Sequence, residues 1–287
     1  MNTSILWLSK HRLLTTILVL AYFVPNVLSH DLVSRISAST EKKLSLAVYN
    51  PVVGVTGLVA LGILSWFIFV RIKNGSHKPL KAAYWSFTAL LVVLSSNTLN
   101  ARNIETIHFP QYALLTVPVF ALTMRFGETV AWVTLLGAVD EAYQYLVLHR
   151  WSGIYDFGDV MLDLIGAGIG VVVIFTLIDA NLIRNPGSTY SLRKLTKSPA
   201  FMILGGLIGC ALLLYLTGLM QLYPAENASR AVIILNRAAP QAGFWLRPGP
   251  PYKTFHIPRP GEAAFLISVL TAAYVFMDYK IELKVKL

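Results

Sequence analysis

Acidic residues gather in one stretch of a chain that is otherwise mostly apolar. The sequence holds 14 aspartates and glutamates among 287 residues, and five of them lie between positions 140 and 163. A second polar group precedes this stretch. Its Glu105, His108 and Tyr112 are spaced three and four apart, so they share one side of a helix. The polar residues of the later stretch are Asp140, Glu141, Gln144, Arg150, Asp156, Asp159 and Asp163.

These residue types indicate proton-transfer chemistry. Carboxylates beside a histidine can act as general acid and base, because partial burial and neighbouring charges shift their pKa values. The same side chains are also compatible with a hard or borderline divalent metal ion. The sequence contains no His-Glu-x-x-His pattern, so no metal or other cofactor is assigned. The single cysteine, Cys210, lies in an apolar run, and no serine or cysteine stands in a recognisable nucleophile pattern.

The composition predicts an integral membrane protein. The chain is 55% hydrophobic and 13% charged, whereas a soluble domain carries about 25% charged residues. Its mean hydropathy is +0.61. The net charge of +10 does not indicate nucleic-acid binding, because the lysines and arginines lie in short loops between apolar segments. We therefore expect the lipid bilayer, and no nucleic acid, as a partner.

About eight segments are long and apolar enough to cross a bilayer, which requires about 20 residues each. The sequence thus predicts an all-α, polytopic bundle of transmembrane helices. The first segment could instead be a signal peptide, but no small-residue cleavage site follows it, which favours an uncleaved helix. The predicted spans are residues 13–29, 52–70, 82–98, 108–124, 128–148, 159–179, 200–222 and 263–278.

The distribution of basic residues predicts the orientation of these spans. The loops on one side hold 14 lysines and arginines, counting both termini, and the loops on the other side hold 10. Basic loops face the cytoplasm, so we expect a plasma-membrane protein with both termini cytoplasmic. On this topology both polar groups lie at the outer face. The oligomeric state is not predicted.

Two interpretations of the polar groups remain open. Ionisable side chains inside a membrane cost about 2.5–3.5 kcal/mol each near a helix centre, so they are expected to have partners or to face a wet cavity. They form either an ion-pair network that ties helices together or a functional site. We expect Arg150 to be the counter-charge of Glu141, Asp156 or Asp159, and His108 to hydrogen-bond Glu105 or Glu141. The glycines of Gly166-Ala-Gly-Ile-Gly170 predict close helix packing rather than a nucleotide loop.

The order of these residues resembles the VanZ-like family. The resemblance rests on E-x-x-H-F-x-x-Y (Glu105 to Tyr112), on D-E-x-x-Q (Asp140 to Gln144), and on a basic residue followed by D-x-x-D-x-x-x-D-x-x-G-x-x-x-G (Arg150, then Asp156 to Gly170). Asp163 departs from the pattern, since the family often has asparagine there. The resemblance implies a core at 83–179, flanked by a two-helix extension at 1–82 and another at 180–287. It also implies a bacterial envelope protein, linked through the founding member to teicoplanin resistance, with no established reaction.

Three functions are compatible with this pattern. The first is an enzyme or binding site for a lipid-linked, amphiphilic or glycopeptide ligand. In it His108 and Glu141 act as acid–base partners, Glu105 and Asp159 orient them, and Arg150 binds an anionic group. The other residues of the site, Tyr112, Asp140, Gln144, Asp156 and Asp163, would contribute to binding. The second is a non-enzymatic scaffold or surface factor whose polar network is structural. The third is a proton-coupled transporter.

The proline-rich segment 223–262 is predicted to be an outer loop. It holds seven prolines, which discourage regular helix. It either covers the bundle or acts as a lid over the site, since long loops are often functional.

Overall fold

The computed structural model describes residues 2–148, 155–178, 183–184, 199–221, 233–234, 244–247, 249, 252–280 and 282–283. These parts of the chain are almost entirely helical, as the composition predicts. Four strands of two residues each form two minimal pairs. Ile183–Arg184 (β1) pairs antiparallel with Glu282–Leu283 (β4), and Met220–Gln221 (β2) pairs parallel with Ile233–Ile234 (β3).

The helices follow the predicted spans in order, but the two helices that contain the first two spans extend further than expected. The predicted segments 13–29 and 52–70 lie within helices of 33 and 29 residues. A 3₁₀ turn, Asn103–Ile107, leads into α5, and a π-helical turn, Gln144–Leu148, continues α6. The helices are α1 (Asn2–Lys10), α2 (Arg12–Leu44), α3 (Leu46–Asn74), α4 (Lys78–Thr98), α5 (His108–Thr123), α6 (Phe126–Tyr143), α7 (Phe157–Leu177), α8 (Pro199–Leu216) and α9 (Pro260–Lys280).

Five of these helices are long and apolar enough to cross a membrane: α2, α3, α7, α8 and α9. Helices α4, α5 and α6 coincide with predicted spans but fall short in length or hydropathy. The chain therefore has the helices of a membrane protein, and the total of eight spans stays a prediction. Helices α2, α3 and α8 expose many large apolar side chains, which suits contact with lipid tails.

Helix α7 forms the centre of the bundle and packs against α4, α5 and α6. Its middle is buried almost throughout. The predicted role of the glycines is confirmed, because a Cβ atom at Gly166 would meet the backbone oxygens of His108 and Phe109 at 2.9 Å. Likewise, Gly168 leaves room for the Tyr274 ring of α9. Small residues thus bring α5 and α9 close to α7, which fixes the side chains at the start of each helix relative to one another.

The last helix closes the beginning of α6. The carboxylate of Asp278 in α9 accepts hydrogen bonds from the backbone N–H groups of Phe126, at 2.6 Å, and Gly127, at 2.9 Å. The first N–H groups of a helix have no partner within the helix, so this carboxylate acts as a cap supplied by another element. A Cβ at Gly127 would overlap Val275, which shows how closely α6 and α9 approach.

Most of the proline-rich segment lies outside the described residues. Among its described residues, 252–260 run beside the connection between α4 and α5. The Lys253 N–H donates to Ala101 O at 2.9 Å, and the His256 N–H donates to Thr98 O at 2.6 Å. The guanidinium of Arg102 lies 4.9 Å from the centre of the Tyr252 ring. This part of the loop therefore lies beside the segment that carries Glu105.

Candidate functional site

The centre of the site is a histidine held by a buried aspartate. His108 is the first residue of α5, and Asp163 lies in the second turn of α7. The imidazole donates from Nδ1 to Asp163 Oδ1 at 2.7 Å, and both side chains are buried. The other ring nitrogen, Nε2, is 4.0 Å from Asp159 Oδ1, one turn earlier in α7. Asp159 is 21% exposed, so the Nε2 side of the ring is the side nearest to solvent.

Asp140 of α6 joins two further helices to this centre. Its Oδ2 atom accepts a hydrogen bond from the Tyr112 hydroxyl and another from His30 Nε2, each at 2.9 Å. The His30 ring lies near that of His108, with ring centres 6.0 Å apart. His30 belongs to α2. The sequence did not predict its place in the site, because a lone histidine just beyond the first predicted span forms no recognisable pattern.

Glu141 positions the start of α7. Its Oε1 atom accepts a hydrogen bond from the Asp156 N–H at 2.6 Å. The side chain of Asp156 in turn accepts from the Gly158 N–H at 2.8 Å, which caps α7 at its N-terminus. Glu141 is buried and connects the end of α6 to the residue that begins α7. The contact gives Glu141 a positioning role beside the acid–base role expected for it.

Glu105 lies outside the long helices, in the 3₁₀ turn before α5. Its Oε2 atom accepts a hydrogen bond from the Ala101 N–H at 2.6 Å. Burial, together with the charges of Asp159 and Asp156, raises the pKa of Glu105 to about 8, from an ordinary value of 4.5. Near neutral pH this side chain therefore holds a proton and can donate it.

The structure brings most of the predicted site residues together at one end of the bundle. Gln144 lies half-buried on the π-helical turn, one helical turn beyond Asp140. Arg150 lies outside the described residues, so its expected pairing with Glu141, Asp156 or Asp159 stays a prediction. The residues connected by contacts or by charge are Glu105, His108, Tyr112, Asp140, Glu141, Asp156, Asp159 and Asp163.

The expected partner of His108 was wrong. The hydrogen bond goes to Asp163 rather than to Glu105 or Glu141. The reason is the close approach of α5 and α7 at Gly166, which lies one turn beyond Asp163 and carries no side chain to separate the helices. Gly137 of α6 makes room for the Asp163 carboxylate from the opposite side. Two glycines on different helices thus position this aspartate. The spacing of residues within one helix could not predict its pairing with His108.

The arrangement does not indicate a metal site. Within the described part of the chain, no three His, Cys, Asp or Glu side chains are placed to hold a metal ion. The carboxylates are instead engaged one by one with a ring nitrogen, a hydroxyl or a backbone N–H. Such contacts fix orientations and suit proton transfer better than cation binding.

Comparison with known proteins adds no assignment. No protein-family model, no curated protein and no solved structure matches the chain.

Proposed function

We propose that this chain is a VanZ-like protein of the bacterial plasma membrane that binds and transforms a lipid-linked or amphiphilic envelope molecule by acid–base chemistry. The observation that carries the proposal is the orientation of His108. Buried Asp163 engages Nδ1 at 2.7 Å, and Nε2 is left beside the partly exposed Asp159.

A carboxylate on one ring nitrogen prepares the other nitrogen for proton transfer. The hydrogen bond to Asp163 selects the tautomer with a proton on Nδ1 and fixes the plane of the ring. Nε2 can then accept a proton from a ligand or return one. Glu105, which is protonated near neutral pH, supplies a second proton donor at the same end of the bundle. Purely structural contacts would not require so many titratable groups around one ring.

The predicted topology supports an envelope substrate. If both termini are cytoplasmic, the starts of α5 and α7 and the end of α6 lie in the outer leaflet. A lipid-linked ligand would enter sideways between helices and place its polar part at His108. In this proposal Arg150 binds an anionic group of the ligand, and Gln144 and Tyr112 border the polar pocket.

Teicoplanin susceptibility tests the proposal. The chain is expressed in a teicoplanin-susceptible bacterium, and the minimum inhibitory concentration is compared with that of an empty-vector strain. We expect the wild type to raise it several-fold and His108→Asn to abolish the increase at equal membrane protein level. Asparagine can still donate to Asp163 from the position of Nδ1, but it cannot carry a proton. The matched control is His11→Gln, a change at an exposed histidine at the junction of α1 and α2. Full resistance of the His108→Asn strain would contradict the proposal.

A structural role is the second candidate, because the same contacts connect four helices. Three hydrogen bonds connect α2, α5, α6 and α7. They join His30 to Asp140, Tyr112 to Asp140, and His108 to Asp163. This candidate predicts that His108→Asn loses resistance because the protein is destabilised, so the melting temperature of the purified variant in detergent falls well below that of the wild type. The proposed function predicts loss of resistance with a melting temperature close to that of the wild type.

The transporter hypothesis has less support. A proton relay needs titratable groups across the bilayer. The three helices that form the site have no titratable side chain over most of their length, at residues 113–123 of α5, 129–139 of α6 and 164–177 of α7. The three helices that form the site therefore carry their titratable groups at their ends.

A further inference from the structure

We infer that His30 is a second proton-transfer residue of this site, so that two imidazoles act together on one ester bond of an amphiphilic ligand. The inference rests on the proposed function and extends it to a residue outside the part of the chain that resembles the VanZ-like family.

The two imidazoles have parallel environments. His108 is hydrogen-bonded to Asp163 at 2.7 Å, and His30 is hydrogen-bonded to Asp140 at 2.9 Å. Each aspartate is almost completely buried, at 1% and 2% exposure, and comes from a different helix. Asp140 is held in place by the Tyr112 hydroxyl as well. The site thus contains two carboxylate–imidazole pairs supplied by α5 with α7 and by α2 with α6.

The free nitrogens of the two rings are close enough to serve one ligand. The ring centres are 6.0 Å apart and the ring planes are tilted by 41°. One nitrogen of each ring is engaged by an aspartate, and within the described residues no hydrogen bond engages His30 Nδ1 or His108 Nε2. The His30 side chain is 16% exposed, so a ligand can reach part of the ring. A purely structural histidine would not need a partly exposed ring beside a second histidine.

Two imidazoles allow simultaneous acid and base catalysis. The neutral ring removes the proton of an attacking water molecule or hydroxyl group as its oxygen forms the new bond to the ester carbon. The bond to the leaving oxygen then breaks, and the protonated ring donates its proton to that oxygen. The number of protons on the two rings is unchanged overall, since the base gains the proton that the acid loses.

The surrounding charge favours a carboxylic ester as the reacting group. The carboxylates of Asp140, Asp159 and Asp163 lie around the two rings and would repel an anionic phosphoryl centre. An acyl ester is uncharged and does not meet this repulsion. Among the described residues, the titratable groups around the two rings are Glu105 before α5, Tyr112 in α5, Asp140 in α6, and Asp159 and Asp163 in α7.

The test uses a substitution that keeps the hydrogen bond and removes the proton carrier. The amide nitrogen of His30→Gln occupies the position of Nε2 and can donate to Asp140. His30→Ala removes both functions. The matched control is His11→Gln, at the exposed histidine that precedes α2. The full-length variants are compared for teicoplanin resistance in cells and for melting temperature in detergent. Lipid extracts of the same cells are analysed by mass spectrometry for acyl-ester changes.

We expect His30→Gln to melt within a few degrees of the wild type and to lose resistance as completely as His30→Ala. We also expect an acyl-ester change with the wild type that is absent with His30→Gln and His108→Asn. If His30→Gln restores resistance relative to His30→Ala, the histidine is structural and the inference is overturned. Resistance with unchanged acyl-ester composition would overturn the assignment of the ester. If His108→Asn keeps full resistance, the proposed function itself fails. If His108→Asn loses resistance and His30→Gln keeps it, only the inference about His30 fails.

Discussion

Glu105 is the residue whose protonation the structure determines most directly. Its carboxyl is partly buried and lies near the charges of Asp159 and Asp156, which raises its pKa to about 8. In the unfolded chain the same group titrates near 4.5. The folded protein therefore holds a proton that the unfolded chain has released over the pH range between these values, and this difference makes stability depend on pH.

We predict that the free energy of unfolding falls as pH rises from about 4.5 to about 8, and that Glu105→Gln removes part of this fall. The folded pKa is the higher of the two, so the stabilisation is complete below pH 4.5 and is lost as pH passes through 8. A difference of about 3.5 between the pKa values sets an upper limit of roughly 5 kcal/mol, and water access to the half-buried side chain lowers the real value. Melting temperatures at pH 5 and pH 8.5 measure it. An equal drop in the variant would contradict the prediction.

At this scale, sequence spacing predicted that the polar residues gather at one end of the bundle but not which residues pair. His108 and Tyr112 share one side of α5, as their spacing predicts, whereas Glu105 lies in the 3₁₀ turn before that helix. The partners of His108 and Asp140 are on other helices, at separations of 55 and 110 residues. Such pairings depend on the distance between helix axes, which spacing within one helix does not contain. His30 was missed for the same reason.

Close helix packing is the property that assembles the site at the scale of elements. Gly166 places α7 against the first turn of α5, where His108 begins the helix. The sequence predicted this packing from the glycine spacing, and it predicted the order of the helices. It did not predict that α2 would extend through His30 to Leu44, because polar residues after position 29 end the apolar run without ending the helix.

We predict that Gly166→Ala lowers the free energy of unfolding by about 1–3 kcal/mol, the usual cost of overpacking. The new Cβ would lie 2.9 Å from two backbone oxygens of α5, and backbone cannot move aside as a flexible side chain can. If the proposed function holds, the same change also reduces teicoplanin resistance by separating His108 from Asp163. Thermal unfolding in detergent measures the effect.

Gly209→Ala in α8 provides the matched control. A Cβ at that glycine has no neighbour within 4 Å, so the same substitution should be neutral or slightly stabilising. Equal destabilisation by both changes would contradict the prediction, because alanine is the better helix former and the contact between α5 and α7 is absent at Gly209.

Orientation is the main prediction for the whole molecule. Within the described parts of the chain, five helices are long and apolar enough to cross a membrane, and the distribution of lysine and arginine predicts a cytoplasmic α3–α4 connection. The same count assigns the α4–α5 connection and the loop beside it to the outside. The sequence could predict the helical membrane class because composition alone determines it. The number of spans depends on how the shorter helices sit in lipid, which composition does not determine.

We predict that a membrane-impermeant maleimide labels Thr254→Cys in intact cells and labels Asn74→Cys only after permeabilisation. Both positions are exposed, and both variants are made after Cys210→Ala removes the native thiol. Labelling of both positions from the same side would contradict the predicted orientation and would move the site away from the outer leaflet. The Cys210→Ala parent, which has no thiol, gives the background.

The contact between Asp278 and the start of α6 has a consequence for biosynthesis. The ribosome produces α5, α6 and α7 well before α9, yet the first N–H groups of α6 receive their carboxylate only from residue 278. Helix α6, which carries Asp140, therefore lacks this cap until the last helix has been inserted. Chains whose synthesis stalls before α9 emerges should be recognised as immature by membrane proteases, even though every residue of the proposed site has already been made.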